Sequence, residues 1–330
     1  MRTLTAVCGL ILANFALLAN ADISRTQDGR PDLHGVWANN SATPLQRPEA
    51  LGDKSELSDE EVKNFQARHD ELFDGEGEAA FGDDVFNSVL EGDEEHESYD
   101  PTTGNYNHFW VVDREFENRT SLIVDPPNGR MPELTPRAKE LAKAAAEYAA
   151  LHPADSYTDR INSDRCITFG VPFIGAGYNG YFQIVQTTEH VAILQEMAHE
   201  TRLIPLDGRD HIATGLRQWN GDSRGQWDDD TLIIKTRNFS SKSRFVGQSS
   251  ENLLLTERFT LLDADTLQWV LTVEDQGTWS QPWTLAINLK KSEQPIFEYA
   301  CHEGNLSMEG ILAGARAEEM AAAQSAGDSQ

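Results

Sequence analysis

YNGYFQIVQTTEHVAILQEMAHETRLIPLDGRDHIATGLRQWNGDSRGQWDDDTLIIKTRNF, residues 178–239, decides the fold. Short apolar runs alternate there with Gly, Asp and Asn, the pattern of strands joined by tight turns. Tyr181–Thr187, Val191–His199 and Leu203–Leu206 read as an antiparallel meander, joined at Thr188-Glu189-His190 and Glu200-Thr201. Polar, titratable and aromatic residues collect at the strand ends: Tyr178, Asn179, Glu196, His199, His211, Arg217, Trp219 and Asp222. The stretch therefore reads as the wall and rim of a ligand cavity.

Working outward, Thr231–Phe239, Leu253–Leu262, Thr266–Glu274 and Trp283–Leu289 continue the β pattern, and Ile296–Cys301 reads as a last strand. Asp263-Ala264-Asp265 makes one tight hairpin. Upstream, Tyr106–Phe116 and Arg119–Arg130 read as strands, the second closed by a Pro-Pro-Asn-Gly turn. Two helices interrupt this pattern. One covers 59–73 behind the capping box Ser58-Asp-Glu-Glu61, and the other covers 136–151 behind Thr135, with Pro at its first position. Residues 74–100 carry acidic side chains and no Lys or Arg, which predicts a mobile, solvated loop. Ser307 onward predicts a short helix, with 321–330 as a disordered tail. The fold class is mainly β, an antiparallel barrel or closed sandwich with a few peripheral helices, in one domain over 22–320.

Arg2, the apolar run Ala6–Leu18 and the small-x-small triplet Ala19-Asn20-Ala21 form a secretory signal pattern, expected to be cleaved after Ala21. The expected location is the periplasm or outside the cell, with no membrane attachment once the signal is removed. Cys8 leaves with the signal, so Cys166 and Cys301 remain to form one disulfide in an oxidising compartment. The net charge of −27, from 54 acidic against 27 basic residues, repels phosphate backbones and anionic lipid. Neither nucleic acid nor membrane is an expected partner. A small molecule is.

Glu196 lies in a run that is apolar on both faces, where a carboxylate needs a partner or a raised pKa. The alternatives are a general base and a structural ion pair with Arg202 or Arg217. His199 ends the same run. A Cys166–Cys301 bond would set His302 and Glu303 beside Asp164 and Arg165, at the start of the meander. No H-x-H, H-E-x-x-H or C-x-x-C spacing supports a metal, so a metal-free acid–base site is expected. No G-x-G-x-x-G or Walker loop is present, so no nucleotide cofactor is expected, and no G-x-S-x-G marks a serine nucleophile. The catalytic candidates are Glu196, His199, Tyr178 and His302. Asn179, Arg217, Trp219, His211 and Glu303 are the substrate-binding candidates, Arg217 with Asn179 orienting a carbonyl or carboxylate.

The segments PDLHGVW, RTSLIVDPPNGR, IPLDGR, RQWNGDSRGQW, SSENLLLTERFT and IFEYACHEGN together resemble a family of secreted bacterial proteins of uncharacterised activity. Gly35-Val36-Trp37 also resembles the first strand of lipocalin and calycin barrels, where the Trp closes the barrel floor and the Gly permits close backbone approach. That second resemblance implies a barrel serving either apolar-ligand carriage or cofactor-free hydratase and cyclase chemistry. The expectation is a small-molecule enzyme of hydratase/lyase or isomerase type working by acid–base chemistry in a barrel cavity. The alternative is a binding protein with the same cavity and no catalysis.

Overall fold

The computed structural model describes residues 23–73, 78–92, 111 and 113–328. The first elements are β1 (Gly35–Ala38), α1 (Asp59–Leu72), α2 (Asp84–Glu91), β2 (Ile123–Asp125) and α3 (Pro136–Leu151). Then come β3 (Tyr181–Gln186), β4 (His190–Gln195), β5 (Glu200–Pro205), β6 (Asp222–Asp228) and β7 (Thr231–Arg237). β8 (Leu254–Leu261), β9 (Thr266–Glu274), β10 (Trp283–Ser292) and α4 (Ser307–Asp328) complete the chain. The expected signal segment and most of the expected strand at 106–116 lie outside the described residues.

Nine strands adjoin in the order β5-β4-β3-β1-β10-β9-β8-β7-β6, and β2 pairs with the start of β10. Each paired neighbour is antiparallel. The two ends of this order meet. A Cβ on Gly225 of β6 would fall 2.7 Å from Leu206 Cδ2 and 2.9 Å from Ile204 Cγ2, so β5 and β6 lie flank to flank. The sheet is a nearly closed barrel, sealed at this seam by side chains packed on a bare glycine.

Alternation of period two fills the inside. Leu267, Trp269, Leu271 and Val273 of β9 and Trp283, Leu285, Ile287 and Leu289 of β10 are all buried. Trp269 stacks on Phe259 at 5.7 Å and meets Phe182 edge-on at 5.7 Å. Trp37 is buried as well, its Nε1 donating to the Leu33 carbonyl at 2.9 Å. Gly35 has a φ of +134°, and a Cβ there would meet only Lys291 Cε at 3.8 Å. The backbone angle, rather than a close approach, is what requires glycine. One charged pair crosses the interior: Arg202 donates to both oxygens of Glu257 at 2.5 and 2.9 Å. The expected ligand cavity is therefore not the lumen, because Trp, Phe and Leu side chains occupy it.

The two barrel ends differ. At one, turns of two to four residues join β3 to β4, β6 to β7 and β8 to β9. At the other the chain makes its long excursions, 39–57, 126–180, 238–253 and 275–282. We call these the hairpin end and the loop end. The 206–221 segment leaves β5 at the hairpin end, where the Leu206 N–H donates to the Glu189 carbonyl, and returns to the loop end to start β6.

Several expectations change. β4 stops at Gln195, and Met197–His199 form a tight turn with Ala198 and His199 at positive φ. β6 is a strand although Ser223, Arg224, Gly225 and Gln226 give it little apolar pattern. Ile296–Cys301 pairs with no strand; the chain leaves β10 at Ser292 and Phe297 already meets Glu196. Within the expected acidic loop, Val85, Phe86 and Val89 of α2 are buried against Phe65 of α1 and against Phe116. The short amphipathic run outweighs the surrounding charge. The Ala-rich α4 runs to Asp328, past the tail expected from residue 321.

Candidate functional site

Long connections at the loop end supply the clefts. One, of about 690 Å³, lies between segments 158–171 and 239–253. Its lining includes Arg160, Arg165, Lys242 and Arg244, the hydroxyls of Ser163, Thr168, Ser241, Ser243 and Ser249, and the rings of Phe169 and Trp219. No acidic side chain lines it, in a chain with 54 of them. Arg160 is paired with Asp164 at 2.9 Å. Arg165 lies over the Tyr157 ring, 5.2 Å from its centroid, and Arg244 donates to the Ser241 and Ser243 carbonyls. Among the described residues, Arg165, Lys242 and Arg244 have no carboxylate at ion-pair distance.

Behind this cleft a polar network ties the loop end to the barrel. Gln195, facing inward at the end of β4, donates to Glu200 at 3.0 Å and accepts from the Phe173 N–H at 3.2 Å. Asn220 donates to the other oxygen of Glu200 at 2.9 Å and accepts from Thr168 Oγ1 at 3.0 Å. Burial pushes the Glu200 carboxyl above its ordinary range, against hydrogen bonds from Asn220, Thr168 and the Phe169 N–H that favour its charged form. The result is a carboxyl biased toward holding a proton, one residue from His199.

A second, more apolar pocket of about 390 Å³ adjoins the first through Phe169, Gly170, Arg244, Phe245 and Gly247. Arg114 lines it and is only 2 % exposed. Loss of hydration pulls this guanidinium down to about 10, with Asp83 acting in the opposite sense, so it remains a cation at neutral pH. Asp83, on the same wall, accepts from the Leu45 N–H at 2.7 Å, and its carboxyl is pushed up by burial.

Tyr178, Asn179 and Glu303 share a third cleft, of about 560 Å³, with Asp164 and Tyr299. The Cys166–Cys301 disulfide, with its Cα atoms 5.8 Å apart, brings residue 303 to the 163–169 segment. His302 lines a separate small cleft with Asp164 and Arg165. His199 is exposed at the turn, its Nδ1 2.7 Å from the Tyr299 carbonyl. Glu196 lines none of these clefts. It accepts from Asn179 Nδ2 at 2.6 Å with one oxygen and from the Phe297 N–H at 3.0 Å with the other. It therefore holds the C-terminal segment against the loop before β3, and Arg202 is engaged by Glu257 instead. Of the four residues assigned to acid–base chemistry, Tyr178 lines the third cleft, Glu196 and His199 touch its lining residues Asn179 and Tyr299, and His302 lines the neighbouring one.

Arg217 and Trp219 line a slot of about 580 Å³ beside the β5–β6 seam. Arg217 donates to the Glu251 carbonyl, and Trp219 also reaches the cationic cleft. His211 is held at 2.7 Å by Asp222, whose other oxygen accepts from Arg224 at 2.6 Å. Among the described residues, no three His, Cys, Asp or Glu side chains gather closely enough to hold a metal ion.

The sequence did not single out Arg165, Lys242, Arg244, Glu200, Arg114 or Asp83 as site residues. A usable signal existed for two of them. Ser241-Lys242-Ser243-Arg244 is a basic, hydroxyl-rich run in an acidic chain. The others are joined to the site only by folding. No helix among the described residues is long and apolar enough to cross a membrane. No protein-family profile matches the chain and no curated protein matches it significantly, so the geometry of the loop end carries the functional reading.

Proposed function

We propose that the protein binds a small organic anion in the cationic cleft at the loop end. The observation that carries this reading is the local inversion of charge: four basic and no acidic side chains line a cleft of about 690 Å³ in a chain with net charge −27. Cations without a carboxylate partner, beside hydroxyls and the half-buried rings of Phe169 and Trp219, suit a carboxylated or sulfated sugar or a similar polar acid. The net acidic charge of the chain disfavours anions in general, so a locally basic lining adds selectivity. The signal pattern, with the disulfide, supports action in the periplasm or outside the cell.

Turnover is the second reading, favoured by Glu200. A carboxyl raised by burial, beside Thr168 and Phe169 of the cleft wall, is suited to passing a proton during hydration, elimination or isomerisation. Calorimetric titration with glucuronate, glucose 6-sulfate and glucose tests the binding reading. The two anions should bind and glucose should not, and Arg165→Glu with Lys242→Glu should weaken binding by roughly 10-fold or more. Equal affinity for glucose, or indifference to both charge reversals, would sink it. Glu200→Gln separates the readings: conversion of a bound ligand that disappears in this variant, with affinity retained, establishes an enzyme.

A further inference from the structure

Two buried polar groups in the apolar pocket lack partners. Arg114 has five N–H donors and satisfies only Nη2, which donates to the Ser41 carbonyl at 2.6 Å. Its Nε and Nη1 have no hydrogen-bond partner among the described residues, nor has the Thr43 hydroxyl, which is 5 % exposed and lines the same pocket. A buried cation with idle donors is costly, because it has given up water and received little in return. Most of the wall around these donors is apolar, Leu45, Leu122, Phe173, Ile174, Phe245 and Val246 among it, with Asp83 and Arg244 as its other charged members. Gly177 presses its bare Cα against the guanidinium: a Cβ there would come 2.5 Å from Nη1. Backbone, pocket wall and the Ser41 carbonyl thus hold the group in place before any ligand arrives.

We propose that this pocket receives a compact apolar carboxylic acid, an aryl or short-chain acid, whose carboxylate accepts from Arg114 and the Thr43 hydroxyl while its apolar body fills the remaining space. A volume of about 390 Å³ is at the small end of ligand pockets and suits one ring with a short side chain. Among the described residues no ion pair joins Asp83 to Arg114, and the Asp83 carboxylate accepts from the Leu45 N–H instead. The inference rests on the reading that the loop end is the ligand-binding face, but it uses neither Arg165 nor Lys242.

The experiment uses the full chain, trans-cinnamate and its uncharged analogue cinnamamide. Cinnamate should bind roughly 10- to 100-fold more tightly than the amide. It should also shift the Arg114 Nε–Hε resonance in the unmutated protein, a measurement that depends on no variant folding. Arg114→Met should remove the preference for the acid, and Thr43→Val should reduce it by about 3- to 10-fold. Ala176→Phe, which fills the pocket and leaves Arg114 in place, should abolish binding of both compounds. Equal affinity for acid and amide, an unmoved Arg114 resonance, or full affinity in Arg114→Met would overturn the proposal. Arg165→Glu and Lys242→Glu distinguish the two failures. If they abolish glucuronate binding while cinnamate fails to bind, the cleft stands and the pocket falls. If cinnamate binds and glucuronate does not, the reverse holds.

Discussion

At the scale of single residues, the interior pair Arg202–Glu257 illustrates how charge is tolerated in this barrel. Both oxygens of a carboxylate with 0 % exposure meet a guanidinium, so neither charge is left unsolvated. Glu257→Gln would strand Arg202 among Leu, Phe and Trp, and we expect a loss of about 3–5 kcal/mol in denaturant unfolding. Joint replacement with Arg202→Met should recover much of it, and a single-variant loss below about 1 kcal/mol would mean that water reaches the pair. The sequence could not show this contact, because Arg202 and Glu257 are 55 positions apart and only barrel closure brings them together. The same holds for Glu196 and Gln195. Alternation in an apolar run shows that one of the two faces inward, but the strand's last residue decides which, and β4 ends at Gln195.

At the scale of elements, local chemistry is most legible where it is self-contained. The Ser58–Glu61 capping box forms as its spacing dictates, with the Ser58 N–H donating to Glu61 Oε2 at 2.8 Å. Lys54, and then the Ser58 N–H, hold the Glu61 carboxyl down to about 2, from an ordinary value of 4.5. A depressed carboxylate stabilises above its unfolded pKa, and that contribution is lost as pH falls through its folded one. The helix α1 should therefore lose its contribution from Glu61 between about pH 4.5 and 2, and Glu61→Gln should flatten that limb of a circular-dichroism melting series. Ser58→Ala should cost about 0.5–2 kcal/mol at neutral pH, and no loss would show that α1 is held by packing alone. The strands β7 to β10 were equally legible, because each is a run of seven or more residues rich in apolar and β-branched side chains. β6 was not, since its partners supply the apolar contacts that its own sequence lacks. Helix α2 was hidden by the acidic residues on either side of Val85, Phe86 and Val89.

At the scale of the whole molecule, one covalent bond spans 135 positions and ties the loop before β3 to the segment before α4. In the chain-entropy account, closing so long a loop contributes about 4–5 kcal/mol, which the double variant Cys166→Ser with Cys301→Ser should lose in chemical denaturation. Unchanged stability would place the bond's role in shaping the cleft of Tyr178, Asn179 and Glu303 instead. Fold class was readable because a barrel is written in the repeated pattern of many strands. The site was readable only as a location: Tyr178, Asn179, Trp219 and Glu303 do lie on the loop end. Its charge was not, because Arg165 and Lys242 come from segments on opposite sides of five strands in the chain. The packed lumen has a further consequence. Since the Trp, Phe and Leu filling carries the fold and the proposed binding clefts lie among the excursions at one mouth, the two draw on almost separate sets of residues. Substitutions in the excursions should therefore reshape the clefts while leaving the scaffold's stability largely unchanged.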